Sequence, residues 1–335
     1  MNVFIDFVGH LDLYYSLYKL FEKRFGYKLY RPNGDESWTD KNIYHVNHLP
    51  EHVLYGKTQY EFVKTIEYED HTLLHNIFDD SYHRLISFQK FKSIKFDIII
   101  STIWQNEIPF YNLHKSYHPN SIYIRHIANI TEQPSVATNV IAGILTQFGS
   151  DINYIRHHPE HGDRFFYDPN IKSDKIIQGS KNYLHPTGYQ GSQEIYDIWK
   201  KYESVLTDFE FEYKNSYWHD FPKNIQNSMF FWHTKFLGCC GYTGRQALFC
   251  GKPLIVNKQY CRIYNTLALE YLKDGVNCID IDPNLRSFEE NIEIIREWSK
   301  DDVYKNKCES GLKYTKEKIN FDEESEKIKN WINKL

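Results

Sequence analysis

Residues 229–256 read MFFWHTKFLGCCGYTGRQALFCGKPLIV, and this stretch decides the fold. Met229 to His233 is a short apolar run with the composition of a buried strand. A loop follows with glycines at 238, 241 and 244, then a helix running through Cys250, then a second apolar strand from Pro253 to Val256. Strand, glycine-bearing loop and helix in this order turn free backbone N–H groups and the positive end of a helix towards one point. That arrangement suits a phosphate or diphosphate. Further on, residues 267–284 read LALEYLKDGVNCIDIDPN, which predicts another helix, an Asp274-Gly275 turn and a strand from Asn277 to Ile281. The two blocks together spell βαβαβ, the pattern of a parallel, doubly wound sheet whose ligands sit beyond the carboxyl ends of its strands.

The amino-terminal part follows the same scheme. Asn2 to Val8 predicts a buried strand, Gly9-His10-Leu11-Asp12 a turn, and Leu13 to Phe25 a helix with Leu13, Leu17, Leu20 and Phe21 at helical spacing. Gly26 stops that helix, and Lys28 to Tyr30 starts a second strand, ended by Pro32. Residues 33–75 are expected to be an excursion of loops and short elements. Phe96 to Thr102 and Ser121 to Ile127 are β-branched strand patterns, and Ser135 to Phe148 is predicted to be helical. Strands are expected at Asp174 to Gln178 and Phe209 to Tyr213, with a helix over Ser192 to Tyr202 between them. Ser287 to Lys300, Asp301 to Lys318 and the amphipathic Asp322 to Leu335 complete the chain as helices.

The order of the glycine-rich loop, Gln246-Ala247-Leu248-Phe249-Cys250-Gly251-Lys252-Pro253, Glu270 and Asp274-Gly275-Val276-Asn277 resembles the donor half of GT-B glycosyltransferases. It is most similar to the glycogen-synthase-like, group 1 enzymes. The resemblance implies an α/β chain of two Rossmann-like domains facing a central cleft. Residues 1–170 would be the acceptor-side domain, 171–318 the nucleotide-sugar domain, and 319–335 a helix crossing back to the first. It also implies that the glycine-rich loop wraps the donor diphosphate, that Lys181 makes a basic phosphate contact, and that His126 touches the donor sugar. His233 and Lys235 would lie near the nucleotide. Such enzymes generally work without a bound metal. The polar segment Ile155 to Pro169 is similar to their interdomain link. The sequence departs from the family at two positions: Gln246 stands where a Glu usually holds a donor hydroxyl, and Gly238 where an earlier Glu would fall.

Glycosyl transfer requires a stabilised diphosphate leaving group, a positioned acceptor hydroxyl and, for inversion, a base. Gly241, Tyr242, Thr243, Gly244 and Arg245 supply amides, a hydroxyl and a cation for the first task, with Gln246 following them. Gly9, at the end of the first predicted strand, allows close approach of a ligand. His10 or Asp12 beside it suits a general base, although Asp12 fits an ordinary helix N-cap equally well. The cluster His157, His158, Glu160, His161 and Asp163 lacks metal-ligand spacing, and solvated linker histidines are expected there. Asp280 and Asp282 are expected to cap the turn at Pro283.

Composition narrows the remaining classes. With 335 residues, 41% hydrophobic and 25% charged, the chain has the make-up of a soluble globular protein with room for two domains. A net charge of −4 and the lack of a basic run argue against a protein built to grip duplex DNA. All six cysteines follow residue 238 without a C-x-x-C pair, which fits reduced thiols in a cytoplasmic protein. Apolar runs such as FDIIISTIW are too short to span a bilayer, and Met1 leads directly into a strand rather than a targeting peptide. The excess of Tyr and Phe reads either as AT-rich coding or as aromatic platforms for sugars or bases. The function expected is metal-independent transfer of a hexosyl or pentosyl group from a nucleotide sugar, a UDP-sugar, with no further cofactor. The acceptor would be a glycan, a small molecule, a lipid-linked sugar or a modified base in phage-type DNA. A sugar-nucleotide epimerase and a non-catalytic binding protein of the same fold are the alternatives.

Overall fold

The computed structural model describes residues 1–6, 11–41, 63–76, 80–127, 136–142, 152–154, 165–178, 193–213, 221–234, 242–263 and 265–335. The chain divides into two compact units, Met1–Arg156 with Phe321–Leu335, and His157–Asn320.

The first unit is built on strands β1 (Asn2–Ile5), β2 (Lys28–Pro32), β3 (Val63–Glu67), β4 (Thr72–Asn76), β5 (Ser81–Ile86), β6 (Ile98–Ser101), β7 (Ile122–Ile127), β8 (Asn139–Ala142) and β9 (Ile152–Asn153). Their order in the sheet is β3-β4-β5-β2-β1-β6-β7-β8-β9. From β5 to β9 every neighbouring pair is parallel, whereas β3, β4 and β5 form an antiparallel meander on one edge. Both faces of the parallel part are apolar, as burial on two sides demands. Val3, Ile5, Ile98, Ile100 and Ile124 face a core completed by α1 (Leu11–Tyr18) and the turn Lys19–Arg24. Phe4, Ile99 and Tyr123 face the opposite core, with Trp38, with Phe88 and Phe91 of α2 (Phe88–Ser93), and with Phe110 of α3 (Glu107–Tyr117). In that second core the aromatic excess is structural: Phe4 lies 5.8 Å from Trp38 and 4.7 Å from Phe91, ring centre to ring centre.

The second unit holds β10 (Lys175–Gln178), β11 (Glu210–Tyr213), β12 (Phe230–Trp232), β13 (Leu254–Val256) and β14 (Cys278–Asp280), in the order β11-β10-β12-β13-β14 and all parallel. Its helices are α4 (Gln193–Val205), α5 (Phe221–Gln226), α6 (Tyr242–Phe249), α7 (Lys258–Ile263), α8 (Ala268–Tyr271), α9 (Phe288–Trp298) and α10 (Asp301–Lys318). Trp199 and Tyr202 of α4 and Ile292, Ile295 and Trp298 of α9 cover Ile176, Phe230, Trp232, Ile255 and Ile279 on one face of the sheet. The last helix, α11 (Phe321–Ile332), sends Ile328 and Ile332 into the core of the first unit.

Two local readings differ from the structure, and a third is made specific by it. Within 135–148, the described residues contain the strand β8 rather than a helix. Its Val140 and Ile141 are buried beside β7, and the Asn139 side-chain amide donates to the Tyr123 carbonyl at 3.0 Å. The helix expected over 13–25 begins at Leu11 and passes into a wider π-helical turn from Lys19 to Arg24, so Asp12 lies inside its first turn and not at the cap. Within the excursion 33–75 the meander strands β3 and β4 appear, and β5 joins them to β2.

Candidate active site

In an open parallel sheet the ligand crevice lies where the strand order reverses. In the second unit that point is between β10, which is followed outward by β11, and β12, which leads to β13. Gln178 ends β10 directly beside Trp232 of β12. It is buried, and its Oε1 finds no hydrogen-bond partner among the described residues. After β12 the chain is held by the amide of His233 donating to the Ile255 carbonyl at 2.8 Å and by the Trp232 indole donating to Thr234 Oγ1 at 2.7 Å. Helix α6 then starts at Tyr242, packed on α5, α10 and β13. The first amides of a helix lack intrahelical acceptors and carry its positive end. Thr243 adds a hydroxyl whose oxygen is buried and without a hydrogen-bond partner among the described residues. Gly244 lies flat against the His233 imidazole: a Cβ on this residue would fall 2.9 Å from His233 Cδ2. Arg245 (2% exposed) and Gln246 are buried one residue and two residues further along.

The end of α6 is equally well determined. Gly251, at φ +70°, closes it in a Schellman turn, with the Lys252 amide donating to the Ala247 carbonyl and the Gly251 amide to that of Leu248. Asp280 and Asp282 both pair with Arg262. Asp282 does cap the turn at Pro283, accepting from the Asn284 amide at 2.9 Å, while Asp280 accepts both from the Asp282 amide leading into that turn (3.2 Å) and from the Lys258 amide at the start of α7 (2.9 Å).

In the first unit the order reverses between β1 and β6. There Asp6, immediately after β1, accepts hydrogen bonds from the Thr102 amide (2.7 Å), the Thr102 hydroxyl (2.5 Å) and the Ile103 amide (3.2 Å). Arg125, fully buried on β7, donates to the carbonyls of Ser101 and His126 and lies 3.5 Å from Glu107. Glu107 also accepts from the amides of Val136 and Ala137. At the end of β2, buried Arg31 reaches His83 Nδ1 at 3.0 Å, and the Tyr14 ring stacks on that imidazole at 3.8 Å. Burial and the neighbouring guanidinium hold His83 well below its ordinary pKa, so its neutral ring accepts from Arg31. Motif reading passed over Asp6, Glu107, Arg125, Arg31, His83 and Gln178. Only the position of Gln178 at the carboxyl end of a predicted strand was a usable signal, since Asp6 fell inside the strand expected over Asn2 to Val8.

Burial raises the Asp6 carboxyl from 3.8 to about 6, against the opposing pull of the Thr102 hydrogen bonds and Arg125. Its folded form therefore favours the proton, and stability drawn from this group is complete below the unfolded pKa and lost as pH rises to about 6. At about 1.36 kcal/mol per pKa unit the loss is on the order of 3 kcal/mol. Stability measured between pH 4 and 6.5 should carry this downward component in the native protein and lack it in Asp6→Asn. Equal slopes in the two proteins would refute the assignment.

No protein-family model and no curated protein matches the sequence. Solved structures do match over the whole chain. HepE from Anabaena in complex with UDP-glucose superposes with a TM-score of 0.57 at 12% identity, covering 100% of this chain and 99% of that one. An alpha-glucosyltransferase in complex with UDP and a 13-mer DNA gives 0.62 at 11%, covering 99% and 100%. This chain has the GT-B glycosyltransferase fold. The catalytic domain of starch synthase IV from Arabidopsis thaliana, bound to ADP and acarbose, gives 0.58 at 11%, covering 99% and 98%.

Of the residues expected to form the GT-B site, the structure brings His233 against Gly244, and Thr243, Gly244, Arg245 and Gln246 together on α6. Gly9, His10, Lys181, Lys235 and Gly241 lie outside the described residues, as do the side chains of Asp12 and Tyr242. The residues His157 to Asp163 are also outside them. His126 is 0% exposed on β7, inside the first unit. No group of three His, Cys, Asp or Glu side chains among the described residues is placed to hold a metal ion. The four described cysteines, Cys250, Cys261, Cys278 and Cys308, are free thiols. No helix among the described residues is long and apolar enough to cross a membrane.

Proposed function

We propose that the protein transfers a sugar from a nucleotide sugar to an acceptor hydroxyl. The observation that carries this reading is the start of α6 at the strand-order reversal of the second GT-B unit, with the Thr243 hydroxyl and Gly244 seated on His233. In this reading the diphosphate lies on the first-turn amides and the Thr243 hydroxyl, with Arg245 and Lys181 as its cations. Charge that develops on the leaving group meets dipoles already in place, which is how a site without a bound metal lowers the barrier. Gln246 offers a neutral amide to a donor hydroxyl where the family it resembles usually has a Glu, and Gln178 offers a second amide. His10 or Asp12 takes the acceptor proton. His126, wholly buried on β7, is assigned no contact with the donor in this reading.

The proteins of similar fold were solved with UDP-glucose, with UDP and with ADP, which makes a nucleoside diphosphate sugar the donor class to test. One nucleotide family is expected to raise the thermal midpoint, since ligand at about 100 times Kd contributes roughly 2.7 kcal/mol. Arg245→Ala and Lys181→Ala should each raise the donor KM roughly tenfold, the loss of one charge-assisted hydrogen bond. Donor kinetics unchanged in both variants would remove the diphosphate from α6.

The likeness to an alpha-glucosyltransferase solved with DNA supports a second reading, in which the acceptor is a modified base in DNA. A net charge of −4 weighs against it. Label transferred from a UDP-sugar to a hydroxymethylated duplex, and not to oligosaccharides, would select the DNA acceptor; the opposite pattern would select a glycan.

A further inference from the structure

A cavity of about 510 Å³ opens at the amino ends of β10, β12 and β13, within the second unit and at the edge of its sheet opposite to α6's first turn. Asp174, Met229 and Lys252, which line it, each stand just before one of these strands. Its volume falls within the range of about 300–1,000 Å³ usual for small-molecule sites. The Schellman turn at Gly251 throws Lys252 into its floor, where the side chain is 2% exposed. The Lys252 ammonium has three N–H groups, yet its one hydrogen-bond partner among the described residues is the Tyr304 hydroxyl at a long 3.4 Å. That hydroxyl is itself held, donating to the Met229 carbonyl at 2.8 Å. With one distant partner, donors remain in the floor for an oxygen that the described residues do not supply, and burial, which lowers the Lys252 pKa, penalises the charge until such an oxygen arrives.

The walls are as specific as the floor. The Tyr167 ring rests on Gly251, where a Cβ would lie 2.7 Å from its Cδ2, so the ring is fixed by a residue that must be glycine for two reasons. Tyr167 and Tyr304 give two aromatic walls. Four aspartates, Asp168 and Asp302 among them, line the cavity with three lysines, so the lining is slightly negative overall. A net negative lining disfavours a phosphorylated ligand and an apolar one finds no match for the charged groups. A polyhydroxyl ring meets every requirement: hydroxyl donors for the aspartates, oxygens for Lys252, and a C–H face for a tyrosine.

We propose that this cavity is a second saccharide-binding site, separate from the donor site, for an uncharged mono- or disaccharide. Its place at the amino edge of the sheet means that it captures or senses a sugar without taking part in the transfer. The test is titration of the intact protein with glucose, galactose, N-acetylglucosamine, maltose and inorganic phosphate, followed by saturation-transfer NMR and calorimetry. No nucleotide sugar is present, so the result stands apart from whether the protein is a transferase. At least one sugar should bind saturably in the millimolar range, and roughly tenfold more weakly in Lys252→Met, which removes a charge-assisted donor. Asp302→Trp, a change at an exposed rim position, should weaken binding similarly by narrowing the mouth and guards against a folding defect in the buried variant. Lack of saturable sugar binding, binding that both variants leave unaltered, or a preference for inorganic phosphate would each overturn the proposal.

Discussion

Replacing Arg125 by Met is expected to destabilise the first unit by about 3–5 kcal/mol. Arg125 is fully buried between Glu107 and the carbonyls of Ser101 and His126, and its charge also bears on Asp6. Removing the guanidinium leaves Glu107 in the interior without its cation, although the Val136 and Ala137 amides still donate to it, and leaves Asp6 with its Thr102 and Ile103 hydrogen bonds. An uncompensated buried carboxylate is costly because the low dielectric penalises its charge and no water reaches it. Hydrogen exchange should show the loss in peptides from β1, β6 and β7, while those from β10 to β14 keep their protection. Adding Glu107→Gln to Arg125→Met should recover part of the stability, since the orphaned charge is then gone. A loss below about 1 kcal/mol in the single variant would mean that the buried pair does not compensate charge at all.

The second large effect concerns function. Gly244→Val should lower kcat/KM for the nucleotide sugar about a hundredfold, the order expected when reacting groups are displaced by about an ångström. Any side chain here meets the His233 ring, which is anchored through its own amide on β13. Either the ring turns away or the first turn of α6 backs off, and both move the amides from the place proposed for the diphosphate. The thermal midpoint should fall modestly as well, since Gly244 is buried and a larger side chain overpacks its place beside His233. His233→Ala in the same chain opens the space and should restore part of the donor binding lost in Gly244→Val. Full activity in Gly244→Val would place the donor elsewhere.

Much of the second unit was legible because its signals are local. β12, α6, β13 and β14 are bounded by glycine and proline, and strands buried on both faces must be apolar throughout, so a single window of sequence reveals each one. The same reasoning found β1, β2, β6 and β7. It failed at β8, where Val136, Ala137 and Val140 share a helical spacing with later apolar residues, and pairing with β7 wins over that periodicity. The meander escaped notice because β3 is largely exposed and its residues alternate weakly: Lys64, Thr65, Ile66 and Glu67 all face solvent. The candidate site divides in the same way. Thr243, Gly244 and Arg245 are contiguous on one helix and could be found by motif, whereas the Asp6–Arg125–Glu107 cluster joins three distant positions.

What the sequence by itself determined is therefore the kind of protein: two α/β units with parallel sheets and a glycine-rich strand-to-helix junction suited to a phosphate. Those properties follow from backbone chemistry and from the period of apolar residues, both of which act within a few turns or strands. Tertiary structure alone decided which polar groups became buried together, that Tyr167 would lie on Gly251, and that Lys252 would floor a cavity of about 510 Å³ at the edge of the sheet opposite to the expected site. Burial and charge pairing depend on contacts between residues far apart in the chain, and no local pattern encodes the environment that gives an ionisable side chain its energy.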